Sequence, residues 1–475
     1  MYLTLKQGLK TSLNKLIMRF QLPILLLMLI GFAACTTEAK LVTSITVKST
    51  SDSIVTKGGT LQMAAQVDPS DAAIKTVLWS VNNTQGAATI NTDGLLTGGG
   101  DGSVTVRATA MDGTGVKGQK NILIKNQYIT VSRDPLLWPF AQSSIWNMPI
   151  GSNAQYVPAK LEMPTSGMLT LDEDYIVLTP DVPEMKIYWC SVRWGTGDRC
   201  TPDQPLNLQA NIPIPQSFVV SSSTWDGGKP NAGIAVLLKD KRSIWQSQPF
   251  AHCTNGGDAT TGYVYADNQD LYGSGYYGSH GGSRLSVLGG SIRTHELSPT
   301  SGPIRHAIKM NICGKKNLYY DNVNFGYRWP ALAADAAAPT SYGVNRTTAP
   351  VSECRMGALM AIPSTVTLES MALETQPGKM LAQALQDYGG YIVDDTGWDV
   401  YAIETEWGPN GRFRDIFKQN WGYDFVVSMT QSTTTPWGRD IVKIYKALNI
   451  VINNSATSIG GGGTPRQELA PPFKQ

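Results

Sequence analysis

From Leu41 to Asn126 short apolar and polar positions alternate, with turn residues between the runs. SITVKS (Ser44 to Ser49), TLQMAAQV (Thr60 to Val67), TVLWSV (Thr76 to Val81) and GSVTVRATA (Gly102 to Ala110) have the period of two that predicts strands of an antiparallel sandwich. In the last run Val104, Val106 and Ala108 face a core while Thr105, Arg107 and Thr109 face water. From Gln127 onward the strand-like runs are KIYWCS (Lys186 to Ser191), QSFVVS (Gln216 to Ser221), GIAVLL (Gly233 to Leu238) and IRHAIKMNI (Ile304 to Ile312), bounded by Gly, Pro, Asn and Asp. Apolar spacing of three and four appears only late, over Pro377 to Tyr388, Arg412 to Asn420 and Trp437 to Leu448, and predicts helices there. Between the first two, GGYIVDDTGWDVYAIETEW reads as strand, tight turn, strand, and SIGGGGTPRQELAPPFKQ as a loop and tail. The pattern predicts a mainly β protein. A sandwich over residues 41–126 precedes a large β-rich domain over 127–475, sandwich or jelly-roll-like, with a few peripheral α-helices near the C-terminus.

The first 34 residues follow a different pattern. Lys6, Lys10, Lys15 and Arg19 precede the apolar stretch Gln21 to Ala34, with no acidic residue among them, as in a secretory signal peptide. The stretch is short of the roughly 20 residues of a membrane span. FAAC, ending at Cys35, resembles the lipobox of bacterial lipoproteins, with Phe32 where that motif usually has Leu. A start at Met18 gives such a signal its more usual length. The resemblance implies removal of residues 1–34, lipidation of Cys35, a tether over 35–40, export, and anchoring to a bacterial membrane at the cell surface.

The segment after the tether also resembles a known family. SITV near its start, GGTLQ leading into the second strand, the Trp in VLWSV, ATINTDGLLTGG and GSVTVRATA are similar to the bacterial Ig-like group 2 domains. That resemblance implies an Ig-like β-sandwich acting as a spacer or adhesion-like module, not a catalyst. The segment has no cysteine, so Trp79 must pack against aliphatic side chains. It has no histidine either, and Asp68, Asp71, Asp93, Asp101 and Asp112 sit mainly in turns, where Asp serves turn geometry.

Charge removes one class of partner. Across 475 residues 39 Lys and Arg face 37 Asp and Glu, which leaves no electrostatic footprint for nucleic acid. In an export compartment disulfides persist. Cys190 and Cys200, flanking SVRWGTGDR, are the easiest pair to close, and at least one of Cys253, Cys313 and Cys354 must stay unpaired.

The chemical hint is that all four histidines, His252, His280, His295 and His306, fall in one short span; histidine is the side chain that titrates nearest neutral pH. His280 sits in the Gly-flanked turn YGSHGGS, where a ligand can approach closely or the ring can pin the turn. His306, on the apolar face of its predicted strand, reads as a satisfied core residue, and His295 and Glu296, as strand neighbours, point to opposite faces.

Two carbohydrate mechanisms fit these residue types. In a polysaccharide lyase His280 or Tyr277 serves as base and Arg293 or Arg284 stabilises the uronate charge. In a glycoside hydrolase two carboxyl groups flank the scissile bond, with Glu296, Asp335, Asp394, Asp395, Asp399, Glu404 and Glu406 as candidates. Tyr276, Trp329 and Trp398 offer flat rings for sugar faces, or for ordinary packing. No metal-ligand spacing, phosphate loop or serine-nucleophile elbow is present, so no cofactor is expected, and structural calcium leaves no pattern of its own. The expectation is a surface lipoprotein whose distal domain acts on polysaccharide; the alternative is a non-catalytic glycan-binding or adhesion lipoprotein.

Overall fold

The computed structural model describes residues 39–83, 86–127, 132–195, 197–220 and 231–474. The expected signal peptide and lipidation at Cys35 lie outside them. Among the described residues no helix is long and apolar enough to cross a membrane. The chain divides into two compact units at residue 129.

The first unit contains β1 (Ser44–Ser49), β2 (Ser53–Ile54), β3 (Thr60–Asp68), β4 (Val77–Asn82), β5 (Ala87–Ile90), β6 (Leu95–Gly100), β7 (Gly102–Ala110) and β8 (Lys117–Ile124). They form two four-stranded sheets, ordered β1-β3-β6-β5 and β2-β8-β7-β4. Alternation decides the faces, as the sequence predicts: Val104, Val106 and Ala108 have no exposed surface. Trp79 is half-buried against an aliphatic core that includes Met63, Leu96 and Val106.

The second unit contains β9 (Tyr156–Pro158), β10 (Leu169–Val177), β11 (Glu184–Trp189), β12 (Leu208–Pro213), β13 (Ile234–Leu237), β14 (Ser243–Ser247), β15 (Phe250–Ala251) and β16 (Ala259–Thr261). It continues with β17 (Gln269–Asp270), β18 (Ile308–Ile312), β19 (Leu359–Ala361), β20 (Gly390–Asp395), β21 (Tyr401–Gly408), β22 (Gly411–Arg412) and β23 (Asn449–Val451). An eleven-stranded mixed sheet runs β17-β14-β13-β10-β21-β18-β20-β19-β23-β9, with β22 paired to β21, and β12-β11-β16-β15 make a smaller sheet.

The three longer helices, Gln376–Asp387, Phe413–Trp421 and Pro436–Ala447, stand where the sequence predicts them. Two of them start alike: Thr375 and Thr435 accept a hydrogen bond from the backbone N–H of Gly378 and Gly438, with proline in the first turn. All three contribute to a core with Leu169, Leu171, Met310, Ile392 and Ile403 of the large sheet. Farther along β10 and β13 the same face, through Tyr175, Val177, Ile234 and Val236, packs on Met185, Ile187, Ile212 and Phe250 of the small sheet and its flank. That end is a sandwich. The opposite face, with Ile176, Ala235, Tyr391 and Val393, is covered by irregular chain bearing Phe140, Trp146, Leu285 and Val287.

Three local expectations change. The strand predicted from Ile304 begins at Ile308, and it inserts between β20 and β21, parallel to one and antiparallel to the other. QSFVVS forms no strand among its described residues, only a bridge between Val220 and His252. The disulfide expected between Cys190 and Cys200 is instead Cys200–Cys253. Cys190, Cys313 and Cys354 are buried free thiols. Cys190 ends beside β11 with its backbone N–H bonded to the Thr261 carbonyl, which turns its thiol inward, while the chain doubles back so that the Thr260 hydroxyl donates to the Arg199 carbonyl, carrying Cys200 to the β15–β16 pair. Proximity in sequence therefore loses to the register of the small sheet.

Candidate functional site

Four adjacent strands of the large sheet place polar side chains on one face. Parallel pairing sets Asp172 of β10 opposite Glu404 of β21, and Asp174 opposite Glu406. On β18, Lys309 and Asn311 point away from Ile308, Met310 and Ile312, because successive side chains in a strand take opposite faces, and Asn311 lies opposite Asp394 of β20. This is the face covered by irregular chain, and the covering segment brings in His280.

The turn around His280 is pinned by backbone hydrogen bonds from its N–H to the Leu285 carbonyl and from the Arg284 N–H to its own carbonyl, 3.1 and 2.9 Å long. His280 is only 3% exposed. Its Nε2 lies 3.1 Å from Glu404 Oε1 and 3.9 Å from Asp174 Oδ1. Its Nδ1 lies 3.3 Å from the Gly281 carbonyl and 3.9 Å from Asp394 Oδ2. Close approach demands the glycines that follow. Gly282 has φ +62°, and a Cβ there would stand 2.9 Å from Asp394 Oδ1 and 3.1 Å from Asp335 Oδ1.

Behind His280 the polar groups are tightly bonded. Lys309 Nζ donates to Asp174 Oδ2 at 2.7 Å and to the Ser286 and Val287 carbonyls at 3.0 and 2.8 Å. Ser291 Oγ also donates to Asp174 Oδ2, at 2.8 Å. The Asn311 amide donates to Glu404 Oε1 and to Asp172 Oδ2, at 2.5 and 3.3 Å.

So many buried carboxyl groups cannot all ionise freely, and their environments drive them apart. Burial, reinforced by Glu404, pushes the Asp172 carboxyl well above its usual range. Burial and the charge of Asp335 do the same for Asp394. Asp174 is pushed up to about 6 by burial, against the pull of Lys309. For His280 and Glu404 burial opposes both charges, but each stabilises the other, so the imidazole is raised and the carboxyl lowered.

Asp172 and Asp394 are the members of this group that reach solvent. They line a cleft of about 240 Å³ together with Asp395, Arg199, Asn231 and two indoles, Trp194 and Trp398. Those indoles are 45% and 50% exposed. A cleft with carboxyl groups and exposed aromatic faces can hold a polyhydroxylated chain against the rings and present acid or base to it.

The residues singled out from the sequence separate into different places. His280 joins the carboxyl cluster, and Trp398 lines the cleft beside it. Tyr277 does not approach His280's carboxylates: it is 42% exposed, pairs with Leu285 through a bridge, and stacks obliquely on Tyr276 at 4.2 Å. Tyr276 in turn meets Trp329 at 5.9 Å, and neither lines this cleft. Arg293 is buried and bonded to Glu406 at 3.0 Å. Glu296 accepts from the Arg293 N–H and contacts His306 Nε2 at 3.0 Å, so the two lyase and hydrolase candidates Arg293 and Glu296 are bonded to partners other than His280. His306 is buried, as its apolar setting predicts, but through this pair. The physical reason is the path of one long connection between β17 and β18: its first part sets His280 against Glu404 and Asp174, whereas farther on Glu296 is taken up by the Arg293 N–H and His306.

Among the sequence candidates for a carboxyl pair, Asp394 and Glu404 belong to the cluster, and Asp335 adjoins it through Gly282. Asp172 and Asp174 escaped notice. Their signal was present in LTLDEDYIV, where three consecutive acidic residues, Asp172, Glu173 and Asp174, stand in the middle of an otherwise largely apolar strand.

Residues 41–120 match the family described as bacterial Ig-like domain (group 2). The tail tube protein pb6 of Escherichia phage T5 is 49% identical over 86 residues, which is 18% of this chain and 18% of that protein. The solved structure of the Escherichia coli adhesin FdeC aligns at 11% identity over 49% of this chain and 65% of that one, with a TM-score of 0.14. The chain thus spans under a fifth of the phage relative's length. Residues 41–120 are a bacterial Ig-like domain of group 2.

Proposed function

We propose that the second unit acts on polysaccharide as a glycoside hydrolase, carried by an exported, lipid-anchored chain in which the Ig-like domain is a spacer. The observation that carries this reading is the cleft in which Asp172 and Asp394 meet two exposed indoles, Trp194 and Trp398. Hydrolysis of a glycosidic bond needs two carboxyl groups, one to protonate the leaving oxygen and one to act on the other side of the sugar. The indoles supply faces for the sugar's C–H groups. The lyase version has less support, since Arg293 is committed to Glu406 and Tyr277 stands apart from His280's carboxylates.

Incubating the purified protein with a panel of polysaccharides, while following both reducing ends and the ultraviolet absorbance of unsaturated uronates, tests the reading. New reducing ends without that absorbance are expected, with Asp172→Asn and Asp394→Asn each lowering the rate at least ~100-fold. Absorbance with the reducing ends favours a lyase. Retention of a glycan without turnover, abolished by Trp398→Ala, favours a binding protein.

A further inference from the structure

The cluster beneath the cleft has more acceptors than protons to fill them. A lysine ammonium has three N–H donors, and those of Lys309 are directed at Asp174 Oδ2 and the Ser286 and Val287 carbonyls. The two amide protons of Asn311 go to Glu404 and Asp172. Asp174 Oδ1, on a side chain 1% exposed, has no hydrogen-bond partner among the described residues. It faces His280 Nε2, as does Glu404 Oε1. The three atoms lie within 4.8 Å of one another. One proton on Nε2 can serve only one of the two oxygens.

We propose that Asp174, His280 and Glu404 bind a divalent transition-metal ion. Two carboxylate oxygens and one imidazole nitrogen are ligands for zinc or manganese, whereas calcium takes oxygen ligands alone. Two carboxylates balance the ion's charge, and Lys309 stays paired with the second oxygen of Asp174. The tautomer also fits. With its proton on Nδ1, toward the Gly281 carbonyl and Asp394, His280 offers the Nε2 lone pair, and a metal-binding histidine ordinarily gives its other N–H to a carbonyl or carboxylate. Three protein ligands leave a further position, and the Asn311 amide links this group to Asp172, which lines the cleft. The inference stands on the buried donor set and is independent of any action on polysaccharide.

Calorimetry of the chelator-treated full-length protein with Zn²⁺, Mn²⁺ and Ca²⁺ tests it. One Zn²⁺ or Mn²⁺ per chain is expected, with weaker binding of Ca²⁺, and a rise in thermal midpoint with the ion. His280→Ala and Glu404→Gln should each weaken binding by at least ~10-fold, while His306→Asn, at the separate pair, should not. Co²⁺ substitution should give visible ligand-field bands without a thiolate charge-transfer band, which distinguishes this group from the buried thiols of Cys190, Cys313 and Cys354. No stoichiometric binding to the unaltered protein, tightest binding of Ca²⁺, a thiolate band, or affinity unchanged in both variants overturns the assignment. If either variant fails to fold, the Co²⁺ spectrum and thermal shift of the unaltered chain decide the matter.

Discussion

Lys309 Nζ lies 2.7 Å from Asp174 Oδ2, and neither side chain exposes more than 1% of its surface. A buried ion pair gains little over a well-packed apolar pair, but removing one partner strands the other charge. The pair is therefore a sensitive point of the large sheet.

Lys309→Met leaves Asp174 beside Glu404 and Asp172 without its cation, and should cost about 3–5 kcal/mol. Urea unfolding followed by tryptophan fluorescence measures it. Adding Asp174→Asn should restore part of the loss, because the two residues share one interaction. A single variant as stable as the parent contradicts the importance given to this pair.

The disulfide closes a loop of 53 residues in sequence separation. Losing such a loop closure costs roughly 2–4 kcal/mol, so Cys253→Ser should lower the unfolding midpoint under non-reducing conditions, while Cys190→Ala should cost only about 1 kcal/mol of packing. Peptide mapping without reductant should recover Cys200 linked to Cys253. A fragment joining Cys190 to Cys200 contradicts the pairing.

A pH dependence follows from the Glu296–His306 contact. Burial disfavours both charges, yet each ion holds the other, so the Glu296 carboxyl is lowered from 4.5 and the His306 imidazole raised from 6.5. The Glu296 contribution to stability is present above its ordinary 4.5 and lost as pH falls through the lowered value. That of His306 is complete below 6.5 and lost as pH rises through its raised value. Both are whole only between 4.5 and 6.5. Thermal midpoints across pH should show Glu296→Gln flattening both flanks, and a profile parallel to the parent's refutes the linkage.

Gly282→Ala tests the close approach of the His280 turn to the carboxyl groups. With φ +62° and Asp394 Oδ1 at 2.9 Å from the added Cβ, left-handed backbone strain alone costs about 1–2 kcal/mol, and Asp394 must shift. Calorimetric unfolding should register a loss of at least that size. An alanine variant with an unchanged midpoint shows that the turn relaxes freely.

Much of the fold was legible because its signals are local. The strand Gly102–Ala110 and the three late helices follow from periods of two and of three to four. The site was legible only in part. His280 stood out by its glycine-flanked turn, and Asp394 and Glu404 as carboxyl candidates, yet their partners Asp172, Asp174 and Lys309 come from strands that no sequence spacing relates.

By itself the sequence determined the sandwich character of the first domain and its family, the β-rich character of the rest, and which side of the strand Gly102–Ala110 would be buried, because side-chain alternation is a property of a single strand. Tertiary structure alone decided that β18 lies between β20 and β21, that Cys200 meets Cys253, and that six charged or polar residues from four adjacent strands gather around one histidine. Strand order is set by the packing of whole faces against one another, and the chemistry of the site arises from that order.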